Sequence, residues 1–141
     1  MRKKVIIVAI LSIIYIVGFP VFKEYVLDAP YSFIIESTGE KNENSGGTEI
    51  WIDSIQKDGE NVNLNTLKLG ENWENRGRIF NSGEKSSSWK LCVRSKEATV
   101  ITFVTHPYSG IVKITDSKGN TKVIDLYSNR EEIYSYTVNE N

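Results

Sequence analysis

From Thr48 onward the chain keeps alternating between apolar and polar positions. It breaks every few residues at Gly, Asn or Asp and never sustains a helical period. Thr48–Ile55 (TEIWIDSI) puts Ile50, Ile52 and Ser54 on one face and Trp51, Asp53 and Ile55 on the other. Asp58-Gly59 behind it is hairpin chemistry, and Asn61–Leu64 alternates again. Arg76-Gly77 and Ser82-Gly83 bracket a short apolar piece at Ile79-Phe80. In Trp89–Arg94, Trp89, Leu91 and Val93 face inward while the basic residues face water. Thr99–Thr105 (TVITFVT) is β-branched and apolar on both faces, as a central strand requires. Gly110–Thr115 and Thr121–Tyr127 flank a turn at Ser117–Asn120, and Ile133–Val138 supplies a last strand. Upstream, Tyr31–Ser37 reads as a first strand. Glu40–Gly47 (EKNENSGG) reads as a loop too polar to order itself strongly. About eight short strands without a long helical pattern predict an all-β, antiparallel sandwich or barrel over residues 48–141. Residues 23–47 then form a stalk, the first strand and a loop.

The other informative stretch is uncharged and runs from Val5 to Phe22, behind Arg2-Lys3-Lys4. As a helix its 18 residues span about 27 Å, close to the ~30 Å hydrocarbon core of a bilayer. Thirteen of them are Val, Ile, Leu or Phe, which favour insertion by about 4–8 kcal/mol. Pro20 sits near the end, where a lost backbone donor costs little. The basic flank predicts a cytoplasmic tip at residues 1–4, one transmembrane helix at 5–22 and an exterior remainder. A cleaved signal peptide shares the basic start and apolar run. The VGFPVFKEYV stretch lacks the small residues that cleavage wants, so the signal anchor is the preferred reading.

Past the anchor, 119 residues suffice for one domain and not two. Without Arg2, Lys3 and Lys4, 14 basic residues face 18 acidic ones, a net of −4. That excludes the clustered positive charge of a nucleic-acid footprint. Cys92 is the sole cysteine, so no intrachain disulfide can form, and Asn-x-Ser/Thr does not occur. With the Lys, Ile and Asn bias, these features point to the outer face of a bacterial plasma membrane.

Residues 71–127 add a resemblance. Glu71-Asn72-Trp73-Glu74 is followed by a glycine turn, Ser86-Ser87-Ser88 and a strand ending near Val93. Then comes the run TVITFVTHPYSGIVKITDSKGNTKVIDLYS. This pattern resembles the galactose-binding-like jelly roll of many carbohydrate-binding modules. It is also similar to external domains of bacterial membrane glycosyltransferases. The resemblance implies a jelly-roll sandwich and, in some members, sugar binding. Such folds often carry a structural calcium ion, although no Asp-rich loop with ligand spacing occurs here. No catalytic membrane domain accompanies it, so any enzyme it serves is another chain.

Candidate ligand-binding residues are aromatic or sit in the His106–Gly110 segment. Trp51 and Trp73 could stack on the apolar faces of sugar rings, whereas Trp89 belongs to the core. His106, Tyr108 and Ser109 lie in one loop. His106-Pro107 also suits a strand-exit turn with its ring held by a backbone hydrogen bond. Asp125 and Tyr127 share a face of the last hairpin strand. No nucleophile turn or oxyanion hole accompanies the single histidine. One His and one Cys are too few for a structural zinc site. No catalytic residue, metal or cofactor is expected. The expectation is a non-catalytic surface module for glycan or wall polymer, or an accessory protein of a membrane glycosyltransferase that binds no sugar.

Overall fold

The alternating segments pair into two antiparallel sheets in a computed structural model that describes residues 31–93 and 98–138. The anchor and stalk at residues 1–30 lie outside these. Among the described residues, no helix is long and apolar enough to cross a membrane. The strands are β1 (Tyr31–Ser37), β2 (Ile50–Lys57), β3 (Glu60–Asn61), β4 (Glu74–Asn75) and β5 (Ile79–Asn81). They continue with β6 (Ser87–Val93), β7 (Thr99–Thr105), β8 (Ile111–Thr115), β9 (Thr121–Asp125) and β10 (Glu132–Val138). The first sheet runs β6-β1-β8-β9. The second runs β10-β7-β2-β5-β4, with β3 on β2.

One core lies between them. Phe33, Ile35, Trp89, Leu91, Val112, Ile114 and Ile124 come from the first sheet. Ile50, Ile52, Ile55, Ile79, Ile101 and Phe103 come from the second. Each buried Ile or Phe contributes about 1.5–3 kcal/mol. The Val62–Leu69 segment, with Leu64–Thr66 in one 3₁₀ turn, packs partly buried leucines against this core.

β1 is fully integrated, paired to β6 over its whole length and to β8 over its second half. Among the described residues the sheets thus take in β1 from Tyr31, upstream of Thr48. In β2 the alternation slips. Register shifts between Ile52 and Ser54, so Ile55 joins Ile50 and Ile52 in the core and Ser54 does not. A bulge inserts one residue and inverts the parity downstream. Asp53, at the shift, holds Arg78 Nε at 2.7 Å.

The Glu40–Gly47 loop is ordered, contrary to its sequence pattern, by polar rather than apolar contacts. Ser45 is 5% exposed, and its Oγ donates to Ser109 O at 2.8 Å. The Gly46 N–H donates to Pro107 O, and Asn42 Nδ2 to Asp125 Oδ2.

Strand register also defines two ends. Tyr31 lies opposite Val93, Thr99 opposite Val138, and the Tyr31 and Thr99 hydroxyls hydrogen-bond between the sheets. The far ends of the same strands, at Ser37, Ser87, Thr105 and Glu132, carry the loops around residues 38–49, 82–86 and 106–110. A seven-residue strand separates the ends by about 23 Å.

Candidate functional site

The second sheet carries an apolar row on the face turned away from the core. Phe80 lies opposite Trp51, Trp51 opposite Val104, and Val104 opposite Ile133, on β5, β2, β7 and β10. This follows from pleat parity: Ile79, Ile50, Ile52 and Phe103 point inward, so their neighbours point out. The rings of Trp51 and Phe80 are 4.4 Å apart at 43°. The Arg76 guanidinium lies 4.2 Å over the Phe80 ring and bonds Glu74.

Beside this row, β7 ends in a tight turn. The Ser109 N–H donates to His106 O, and the His106 N–H donates back to Ser109 Oγ at 3.0 Å. The Tyr108 N–H donates to His106 Nδ1 at 3.1 Å, which places the proton of the neutral ring on Nε2. Tyr108 is 59% exposed, with its ring against Gly46. A Cβ at Gly46 would lie 2.8 Å from two of its ring carbons, so the loop fits only a glycine beside that ring pose.

The turn also clamps Glu49. The Glu49 N–H donates to Tyr108 O at 3.0 Å, and Glu49 O accepts from the Gly110 N–H at 2.9 Å. Its side chain then meets the aromatic row. Trp51 Nε1 donates to Glu49 Oε2 at 2.9 Å, and His106 Nε2 lies 3.8 Å from the same oxygen. On the other side, Arg78 joins Asp53 and, at 3.5 Å, Glu131. Glu49, Trp51, Arg78, His106, Tyr108 and Glu131 line a cavity of about 390 Å³ with Val104 and Pro107.

Of the residues that the sequence singles out, Trp51, His106 and Tyr108 converge here. Ser109 does not face the cavity: it is fully buried and its hydroxyl is spent on the turn. Its Oγ meets the backbone of His106, so no serine–imidazole pair forms there. Trp73 lies elsewhere, 5% exposed and 6.1 Å from Trp89 ring to ring. It belongs to the core, against which the preceding Val62–Leu69 segment also packs its partly buried apolar side chains. Asp125 bonds the 38–49 loop through Asn42, and Tyr127 bridges His106 along the backbone. Sequence reasoning misses Glu49, Arg78 and Glu131. The parity of Glu49 with Trp51 is readable, but its junction with the 106–110 turn is not. Among the described residues, no three His, Cys, Asp or Glu side chains gather as a metal site.

No family model matches this chain, nor does any curated protein or solved structure. The cavity's own geometry must therefore carry the functional reading. It offers a half-buried indole backed by Phe80 and Val104, a clamped carboxylate, an imidazole held through Nδ1, a phenol at the rim and a guanidinium already held by carboxylates. That set can stack on a flat ligand and hydrogen-bond its edge.

Proposed function

We propose that this chain is a non-catalytic, membrane-anchored module on the outside of a bacterial cell. It recognises glycan or a glycan-bearing wall polymer. One observation carries the reading: Trp51 faces out of the sheet on a rigid apolar backing, ringed by Glu49, His106, Arg78, Glu131 and Tyr108. A pyranose has apolar faces for such a ring and hydroxyls for such an edge. Because the backing and the Glu49 clamp are already in place, little ordering entropy is spent on binding.

The jelly-roll reading is supported by strand order. Setting aside the two-residue strands β3 and β4, each sheet contains one hairpin, β8-β9 or β2-β5. Its other neighbours lie three strands apart around the cycle of eight. Such an order supports two Greek keys wrapped into a jelly roll, entered at a different loop. The cavity also lies at the end of the strands remote from Tyr31.

A glycan array probed with the full chain in detergent tests the reading, with Trp51→Ala alongside. The expected result is binding to a subset of glycans and its loss by about tenfold or more in the variant, as for removal of an aromatic hot spot. A folded chain that binds no glycan refutes it. The accessory reading has its own support. The edge strand β10 exposes Ile133 and Tyr134 and carries no charge after Glu132. Such an edge can accept a strand from a membrane glycosyltransferase. Crosslinking from Ile133 in membranes would capture that partner.

A further inference from the structure

We propose that the groove selects sugars carrying a protonated amino group over their neutral or acidic counterparts. This rests on the glycan reading and names the ligand class within it. The argument begins with charge. The cavity is lined by two carboxylates, Glu49 and Glu131, and one guanidinium, Arg78. Arg78 is also gripped by Asp53 at 2.7 Å, behind the lining. The three carboxylates thus outnumber the single arginine, and His106 Nδ1 is already taken by the Tyr108 N–H. An anionic ligand would meet net repulsion, with only an arginine that is already paired to receive it. A neutral hydroxyl would gain a hydrogen bond. An ammonium gains a hydrogen bond and a charge attraction in a half-desolvated setting.

Glu49 is the group that would receive it. Its backbone is fixed on both sides by the 106–110 turn, so the carboxylate is held in position. Both described contacts of that side chain, from Trp51 Nε1 and His106 Nε2, fall on Oε2. Oε1 takes no hydrogen bond among the described residues and is the acceptor left for a ligand. The carboxylate stands next to the Trp51 ring and the Tyr108 turn. Aromatic faces beside a carboxylate suit an ammonium group through the ring quadrupole as well as the ion pair. The indole plane, backed by Phe80 and Val104, gives the attached pyranose ring its platform. This is why an amino sugar fits better than a bare amine on a flexible chain.

The test uses the full chain in detergent micelles at neutral pH, with two matched probes and a control. The probes are a β-1,4-linked glucosamine oligomer and the same oligomer fully N-acetylated; the control is trilysine. Titration calorimetry is expected to show the free-amine oligomer binding about tenfold tighter than the acetylated one. The preference should shrink as salt is raised, since a partly exposed ion pair is screened. Glu49→Gln should lower affinity for the free-amine oligomer about tenfold more than for the acetylated one, closing the gap between the two. Should that variant fold poorly, the salt series on the unsubstituted chain decides the same point: a preference that salt does not reduce overturns the ion pair. Equal binding of both oligomers, abolished by Trp51→Ala, overturns the amine preference and leaves the glycan reading standing. Binding of trilysine as tight as the amino sugar overturns the sugar part of the inference. Binding of neither oligomer overturns it together with the glycan reading.

Discussion

Ser45→Ala should damage this domain more than a loop substitution ordinarily does. The Ser45 Oγ lies 2.8 Å from Ser109 O, 2.9 Å from Gly47 O and 3.2 Å from Pro107 O, and accepts from the Gly47 N–H at 3.3 Å. A hydroxyl has one proton. The shortest and fully buried contact, to Ser109 O, is the one it serves. Alanine removes that bond and strands a buried carbonyl, which costs about 1–3 kcal/mol. The loss of one oxygen leaves little void, so no larger cavity penalty is expected. In urea, with a slope of about 1–3 kcal/mol per molar, the midpoint should fall by roughly 1 M with the slope unchanged. The Gly46 amide, which donates to Pro107 O at 2.8 Å, should exchange faster with solvent deuterium, because the loop loses its buried post. A stability change under ~0.5 kcal/mol, the range of ordinary surface substitutions, with Gly46 exchange unaltered, would refute the claim that Ser45 organises this loop.

Trp73→Phe should cost less than about 1.5 kcal/mol in thermal unfolding, against about 3–5 kcal/mol for a buried Trp→Ala, because it also removes an indole N–H that has no partner among the described residues. It should leave glycan binding unchanged; a binding defect would return Trp73 to the site. Asp116 closes the β8–β9 turn, and its carboxyl is held below its ordinary range chiefly by the Asn120 side chain, with the Asn120 and Lys118 amides adding to this. A lowered folded-state value favours the charged form in the fold. Its contribution is complete above the unfolded carboxylate value of about 3.9 and is lost as pH falls through the folded one. Asp116→Asn should therefore be less stable than the parent at neutral pH, with the difference closing in strong acid. Denaturant midpoints measured across that range check the sign.

Much of the sheet structure is legible in the sequence because it depends on parity alone. Trp89, Leu91 and Val93 alternate with Lys90 and Cys92, and the strand they form is buried on alternate residues. The Ser117–Asn120 turn likewise joins β8 and β9. Parity fails where the backbone inserts a residue. Nothing in TEIWIDSI marks Asp53 as the site of a bulge, so strict alternation puts Ile55 on the wrong face. The Glu40–Gly47 loop is hidden for a different reason: its composition promises no apolar burial, and the polar anchor at Ser45 depends on carbonyls more than sixty residues away. In the cavity, Trp51, His106 and Tyr108 are legible from residue type and loop position. Glu49, Arg78 and Glu131 become neighbours only through the pairing of β2 with β5 and β7 and the turn that grips Glu49. Trp73 misleads because a tryptophan near a turn looks exposed, whereas the fold sets it in the core beside Trp89.

The placement of Tyr31 and the cavity at opposite ends of the strands has a mechanical consequence. Under the proposed function, a module tethered through its N-terminal side and gripping a polymer at its far end would be pulled along the strand axis. β1 would take that load first. It lies between β6 and β8, with seven residues in register with one and four with the other. Its ladder hydrogen bonds run perpendicular to the pull. They must therefore shear together rather than peel open one at a time. The Tyr31–Thr99 hydroxyl contact ties the loaded end to the opposite sheet. Pulling from the C-terminal end of the same domain would load β10 in shear as well, but against β7 alone, because it is an edge strand bonded on one side only. The two attachment points would give one fold two different resistances to force.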